Sequence, residues 1–291
     1  MPASTMSAEE LKARYSPEGL PPVSNPFLYA YRCIIKNLFY VIFGIGSILI
    51  VTASFPFIRL SCKNNEEFGI KARRFISHVF RVFLFFLSVM QGAKLKTENR
   101  AEYRNMHKKI IVANHPSILD FVYIMSMVPN ATCIVSEHLA KTPLIAIVKY
   151  AYILNSTDFE TVCRDCKKLI DQGCNVIIFP EGTRTPRHGR NVYKKGAVRI
   201  ALYCGCDIQP IFIGGSDKYG LGKHDIIWSY NPVEQYLYDF KLLPEIKIAP
   251  YTELPAPIAA KRLIDEVENT IIDAARKYSE YHPLCKTLNN Y

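Results

Sequence analysis

From Asn37 to Ile58 the chain runs for 22 residues without a charge, NLFYVIFGIGSILIVTASFPFI. An α-helix of that length is about 30 Å long, the thickness of a bilayer's hydrocarbon core. Arg32 and Lys36 precede the run, and Arg59 and Lys63 follow it. Basic residues at both ends give little orientation signal and suit a helix whose two ends stay near headgroups. A second apolar run, Val82 to Ala93, follows the basic positions Lys71, Arg73, Arg74 and Arg81. Two readings fit: a spanning helix with an interfacial partner, or a hairpin dipping into one leaflet with Lys and Arg on the phosphate layer. A buried core helix is the third, disfavoured by so long a run without charge. Residues 1–30 form a polar N-terminal segment, 31–94 the membrane-anchoring helices, and 95–291 the remaining domain. The opening MPASTMSAEELKARYSPEG carries Glu9 and Glu10 and is not a secretory signal.

The remainder changes pattern. Ile110–Ala113, Thr132–Val135, Asn175–Phe179, Ile208–Ile213 and Ile246–Ile248 read as short strands. Asp120–Met127, Pro143–Tyr152, Phe159–Asp171 and Asn191–Cys204 read as helices between them. Strands alternating with helices predict an α/β domain, a largely parallel sheet flanked by helices. Pro257–Lys277 closes it as an amphipathic helix, with Ile258, Leu263, Ile264, Val267, Ile271 and Ile272 on one side.

The balance of 36 Lys+Arg against 26 Asp+Glu gives +10. Such a charge suits anionic lipid headgroups, an acidic carrier protein, a phosphate-rich cofactor or nucleic acid. No nucleic-acid motif is present and much of the basic excess flanks the apolar runs, so no nucleic-acid partner is expected. The nine cysteines are an odd number, and reduced thiols are expected. Cys163 with Cys166 and Cys204 with Cys206 have zinc-like spacing, but helical placement and a glycine turn favour plain burial.

Two segments carry chemistry. In Val112-Ala113-Asn114-His115-Pro116-Ser117-Ile118-Leu119-Asp120 a strand ends and a helix begins near Pro116. On one continuous helix His115 and Asp120 would diverge by about 140°. With His115 just outside the helix the two can meet, and an imidazole oriented by a carboxylate is what a general base needs. The plain alternative is a capping histidine and a solvated carboxylate. A second strand leads into Pro180-Glu181-Gly182-Thr183-Arg184-Thr185. That turn lies at a carboxyl end of the sheet, where ligands of parallel α/β folds bind. Arg184 suits bidentate phosphate recognition, and an ion-paired turn is the plain alternative.

NHPSILD resembles the N-H-x4-D block, and FPEGTRT the F-P-E-G-T-R block, of the glycerolipid acyltransferases typified by 1-acylglycerol-3-phosphate acyltransferase. Tyr193–Ala197 (YKKGA) and Ile208–Gly215 (IQPIFIGG) resemble later segments of that family. The resemblance covers roughly Lys94 to Gly215, and the apolar N-terminal region is similar to the family's membrane-docking helices. It implies that His115 is the general base, oriented by Asp120, and that an acceptor hydroxyl attacks an acyl thioester. Glu181, Gly182, Thr183 and Arg184 would bind the acceptor, with Arg184 on its anionic group and Lys195 a second cation. The implied co-substrate is acyl-coenzyme A or acyl carrier protein. No bound cofactor and no metal are expected, and the partners are membrane lipids and a lysolipid. The catalytic domain is expected on the cytoplasmic side of the membrane. A thioesterase using the same base on water, and a lipid-binding protein without catalysis, are the alternatives.

One block departs from the pattern. Where the family has G-x-x-F-I-x-R, this chain has Ala151-Tyr152-Ile153-Leu154-Asn155-Ser156-Thr157. The glycine has become Ala151, and Ser156 or Thr157 stands for the arginine. Losing that charge-assisted contact predicts phosphate binding weaker by about 1.5–3 kcal/mol, and an acceptor other than lysophosphatidic acid.

Overall fold

The computed structural model of the chain describes residues 7–136, 152–155 and 158–281. Helix α1 (Ala8–Arg14) opens with a reciprocal cap: the Ser7 hydroxyl accepts from the Glu10 amide, and the Glu10 carboxylate accepts from the Ser7 amide. Helix α2 (Pro26–Leu49) starts where the Asn25 side chain accepts from the Leu28 amide at 3.0 Å. It passes through one π-helical turn (Ile50–Ser54) into α3 (Phe55–Leu60). Pro56 has no N–H for the carbonyl four residues back, and the widened turn before it absorbs that break. The result is a continuous rod of 35 residues, Pro26–Leu60, apolar and long enough to cross a membrane.

After a short turn, α4 (Asn65–Val89) runs back along this rod. Ring pairs fix the antiparallel course: Phe55 meets Phe68 at 5.7 Å, Phe43 meets Phe80 at 5.8 Å, and Phe39 meets Phe83 at 5.2 Å. The apolar run starting at Val82 is thus the last third of a longer helix. Two further helices follow, α5 (Arg100–Asn105) and α6 (Asp120–Met127). The inner face of α4 packs along α6. Arg73 donates to the Asn130 side chain at 2.7 Å, and Arg81 donates to the Ser126 carbonyl at 3.2 Å.

Among the described residues seven strands form one sheet: β1 (Ala93–Thr97), β2 (Ile110–Ala113), β3 (Ala131–Ser136), β4 (Tyr152–Asn155), β5 (Asn175–Ile178), β6 (Ile208–Gly215) and β7 (Tyr236–Leu242). Their order is β1-β7-β6-β2-β5-β3-β4. The stretch from β6 to β4 is parallel, as the alternating pattern predicts. β7 lies antiparallel to β6 and parallel to β1. Helices α7 (Phe159–Asp171), α8 (Gly196–Cys204) and α9 (Ala256–Tyr281) complete the fold.

Strand residues alternate between two cores. Ile111, Ala113, Ile177, Ile211 and Ile213 face the aromatic side under α4 and α6, with Tyr123, Tyr238 and Phe240. Ile110, Val112, Val176, Ile178, Ile208 and Phe212 face α7, α8 and α9. Cys163, Cys166, Cys204 and Cys206 are all buried free thiols in that second core.

Several elements differ from the sequence-derived ones. The expected helix Pro143–Tyr152 falls outside the described residues except for Tyr152, which opens β4. The expected helix Asn191–Cys204 starts only at Gly196, because residues 191–195 follow the rim of the site. The expected strand Ile246–Ile248 shrinks to a single antiparallel bridge, Ile208 to Ile246. Strands β1, β4 and β7 were not expected.

Candidate active site

Neighbouring parallel strands β2 and β5 pair Val112 with Ile178. Their carboxyl ends therefore place His115 beside the turn that begins at Phe179. The sheet edge brings together two sequence blocks some sixty residues apart. The His115 amide donates to Glu181 Oε1 and to Thr185 Oγ1, both at 3.1 Å, and the Thr185 amide donates back to the His115 carbonyl at 2.7 Å. Asn114 locks the same strand end to β6, giving its side-chain N–H to the Ile213 carbonyl and accepting the Ile213 amide.

The imidazole is held on two sides. Its ring stacks on Phe179 with centroids 4.0 Å apart. His115 Nδ1 lies 2.8 Å from Asp120 Oδ2. Asp120 is fully buried and also accepts from the Ser117 amide at 2.8 Å and the Ser117 hydroxyl at 2.6 Å. Because Ser117 spends its proton on Asp120, the Tyr238 hydroxyl 2.7 Å away donates to Ser117 Oγ. A carboxylate accepting at Oδ2 puts the imidazole proton on Nδ1 and the lone pair on Nε2.

Around this pair lies a cavity of about 580 Å³, within the range typical of small-molecule sites. His115, Phe179, Gly182, Thr183 and Lys194 line it near the imidazole. One apolar flank comes from the hairpin (Phe39, Phe43, Phe80, Phe83), the other from β3, α7 and α8 (Ile134, Val162, Ile200). Gly182 is left-handed, with φ at +65°, a backbone conformation that favours glycine, and it faces the flexible Lys194 side chain.

The expected site residues separate by position. His115, Gly182 and Thr183 line the cavity, and Asp120 stands behind the imidazole. Glu181 does not line it. It is a buried brace, taking the Thr185 hydroxyl at 2.5 Å on Oε1 and the Asn191 amide group at 2.8 Å on Oε2. Burial raises its carboxyl above the ordinary value, and those hydrogen bonds pull the other way. Replacing Glu181 with Ala removes an acceptor of the His115 amide, the Thr185 hydroxyl and the Asn191 side-chain amide. Unfolding free energy is expected to fall by about 1–3 kcal/mol, measurable by urea denaturation. Arg184 gives its Nη1 to the carbonyls of Leu221 and Gly222 at 3.0 and 2.7 Å. Lys195 sits at the N-cap of α8, and its neighbour Lys194 lines the cavity, as does Lys36 of α2. Ala151, Ser156 and Thr157 lie outside the described residues.

Sequence reasoning gave no role to Ser117, Tyr238, Asn191 or Tyr15. The Tyr15 hydroxyl donates to the Arg184 carbonyl at 3.0 Å, and Arg187 binds the Tyr15 carbonyl as well as Asp217 and Asp225, so the polar N-terminal segment straps the 181–187 turn. Nothing local in the sequence signals such long-range contacts. Among the described residues no group of three His, Cys, Asp or Glu is placed to hold a metal ion.

A parallel α/β domain presenting a buried-carboxylate histidine to a lipid-sized apolar cavity defines a class of protein. Residues 94–214 match the family model described as Acyltransferase. It is 31% identical over 140 residues to a 1-acyl-sn-glycerol-3-phosphate acyltransferase of Helicobacter pylori, a match covering 44% of this chain and 54% of that one. A Haemophilus influenzae protein of the same name is 25% identical over 198 residues, covering 65% and 78%. The chain thus spans about half the length of the Helicobacter relative. The crystal structure of the 1-acyl-sn-glycerophosphate acyltransferase PlsC from Thermotoga maritima superposes with a TM-score of 0.61 at 19% identity, over 84% of this chain and 96% of that one. It shares the fold.

Proposed function

We propose that the protein transfers an acyl group from an acyl thioester to the hydroxyl of a lysoglycerolipid-like acceptor at a membrane surface. The carrying observation is the His115–Asp120 pair opening on an apolar cavity that the N-terminal hairpin helps to wall. Nε2 takes the proton of the acceptor hydroxyl as its oxygen attacks the thioester carbonyl. The tetrahedral intermediate collapses, the C–S bond breaks, and the imidazolium returns its proton to the leaving thiolate. Asp120 stays ionised and stabilises the imidazolium. Acyl-coenzyme A and acyl carrier protein both present the required thioester. The relatives named above supply the acceptor class, and Lys194 supplies a cation at the cavity.

The hairpin supports membrane association. Ile34, Leu38, Val41, Ile45 and Ile48 of α2 and Phe85, Phe86 and Val89 of α4 are exposed, an apolar face too large to leave in water. The inner face of α4 is bound through Arg73 and Arg81 to the C-terminal end of α6 and the turn after it, which favours a hairpin lying in one leaflet over a helix surrounded by lipid. Cytoplasmic placement follows from where acyl thioesters are made. The deciding experiment incubates the purified protein with acyl-coenzyme A or acyl carrier protein donors and a panel of lysolipids. Diacylated product is expected. Fatty acid released at the same rate without acceptor would instead mark a thioesterase.

A further inference from the structure

Outside the catalytic cavity, the most unusual surface feature is the loop between β6 and β7. Ile226, Ile227 and Trp228 are consecutive there and 64%, 60% and 63% exposed. Three large apolar side chains in a row on a loop are costly in water. The loop is not loose. A turn ties the Ser229 amide to the Ile226 carbonyl at 3.1 Å, with the Ser229 hydroxyl on the same oxygen at 2.6 Å. Helix α2 grips it from the side. Lys36 Nζ donates to the carbonyls of Ile227 and Ser229 at 2.6 and 2.7 Å, and Asn37 donates to Ile227 at 3.2 Å. A backbone so anchored holds its side chains outward without ordering cost at the moment of contact.

Its position is informative. The loop is attached at residues 36 and 37, where the uncharged run of α2 begins, and exposed Tyr31, Ile34 and Leu38 flank that point on the helix. It is level with the boundary between charged and uncharged helix, where tryptophan concentrates in membrane proteins. Lys223, half-buried over the Tyr15 ring, precedes the loop, while the Asp225 carboxylate is turned inward onto Arg187. A lysine beside an apolar tip suits anionic lipid headgroups above acyl chains.

Resting on the membrane-facing reading of the hairpin, we propose that residues 226–228 are a second membrane-insertion element, which seats Ile226, Ile227 and Trp228 at the headgroup boundary of the leaflet that receives α2 and α4. Because Lys36 and Leu221 also line the catalytic cavity, such an element would fix the height of the cavity relative to the lipid from which the acceptor arrives.

Trp228 is the sole tryptophan of the chain, so intrinsic fluorescence reports this loop alone. The full-length protein is mixed with vesicles of phosphatidylcholine and phosphatidylglycerol, with bromine placed on the acyl chains either near the headgroup or near the methyl end. Emission is expected to shift to the blue and to be quenched several-fold more by shallow than by deep bromines. The double variant Ile226→Ser, Ile227→Ser, with an unchanged circular dichroism spectrum, is expected to partition onto vesicles about tenfold less well. Protein that floats with vesicles while Trp228 emission stays unshifted and unquenched would overturn the loop's role and leave the hairpin reading intact. Protein that fails to float at all would overturn both. Should the double variant misfold, the quenching profile of the unaltered protein decides.

Discussion

His115→Ala is expected to lower acyl transfer by about 10²–10⁴-fold, the range for losing a general base. The fold should survive, because the contacts that join the two motif blocks at this position come from the His115 backbone N–H and carbonyl. Asp120→Asn should be similarly severe for a different reason. Asp120 accepts from His115, the Ser117 amide and the Ser117 hydroxyl at once. An amide can accept on one atom only, so one donor then faces another donor, and the tautomer with its lone pair on Nε2 is no longer held. Single-turnover acylation with a labelled thioester, alongside a thermal melt, separates chemistry from unfolding. A folded His115→Ala protein working at full rate would sink the mechanism.

The second large effect concerns the acceptor. Lysophosphatidic acid is expected to show a kcat/KM about tenfold to a hundredfold below that of an uncharged or zwitterionic lysolipid. This follows from about 1.5–3 kcal/mol for a missing charge-assisted contact, at 1.4 kcal/mol per factor of ten. The structure adds a physical reason. Arg184 is engaged with two backbone carbonyls, and Arg187 is buried between Asp217 and Asp225. Lys194 lines the cavity, and Arg199 lies over the Phe159 ring at 4.1 Å on its flank. A clear preference for lysophosphatidic acid, lost on Lys194→Ala or Arg199→Ala, would show that these cations replace the missing arginine.

The pairing of His115 with Asp120 was legible because each block is contiguous and sits at the end of a strand that its own apolar run announces. Ile110–Ala113 and the strand before Glu181 could be read without tertiary information. Roles that depend on distant partners could not. Arg184 looks like a phosphate ligand in sequence, and only the fold shows the carbonyls of Leu221 and Gly222 waiting for it. β7 was missed although Tyr236, Tyr238 and Phe240 alternate at period two and are all buried. Asp239 and Lys241 interrupt the apolar signal, and Asp239 is itself buried, bonded to Tyr278 and paired with Lys96. The C-terminal half of the expected Asn191–Cys204 helix is real, but residues ahead of Gly196 are spent shaping the site rim.

The place of β7 in the sheet bears on how the protein comes into being. It lies between β1 and β6, and its Tyr238 reaches Ser117, 121 residues earlier, and through it the carboxylate behind His115. On a ribosome adding roughly 5–20 residues per second, on the order of ten seconds separate the emergence of the two ends of that bond. During this interval the membrane-facing hairpin and both motif blocks already exist, but the sheet has a gap that only the last strand can fill by inserting between two others. A nascent chain thus carries its hairpin and both motif blocks before the carboxylate behind His115 is braced.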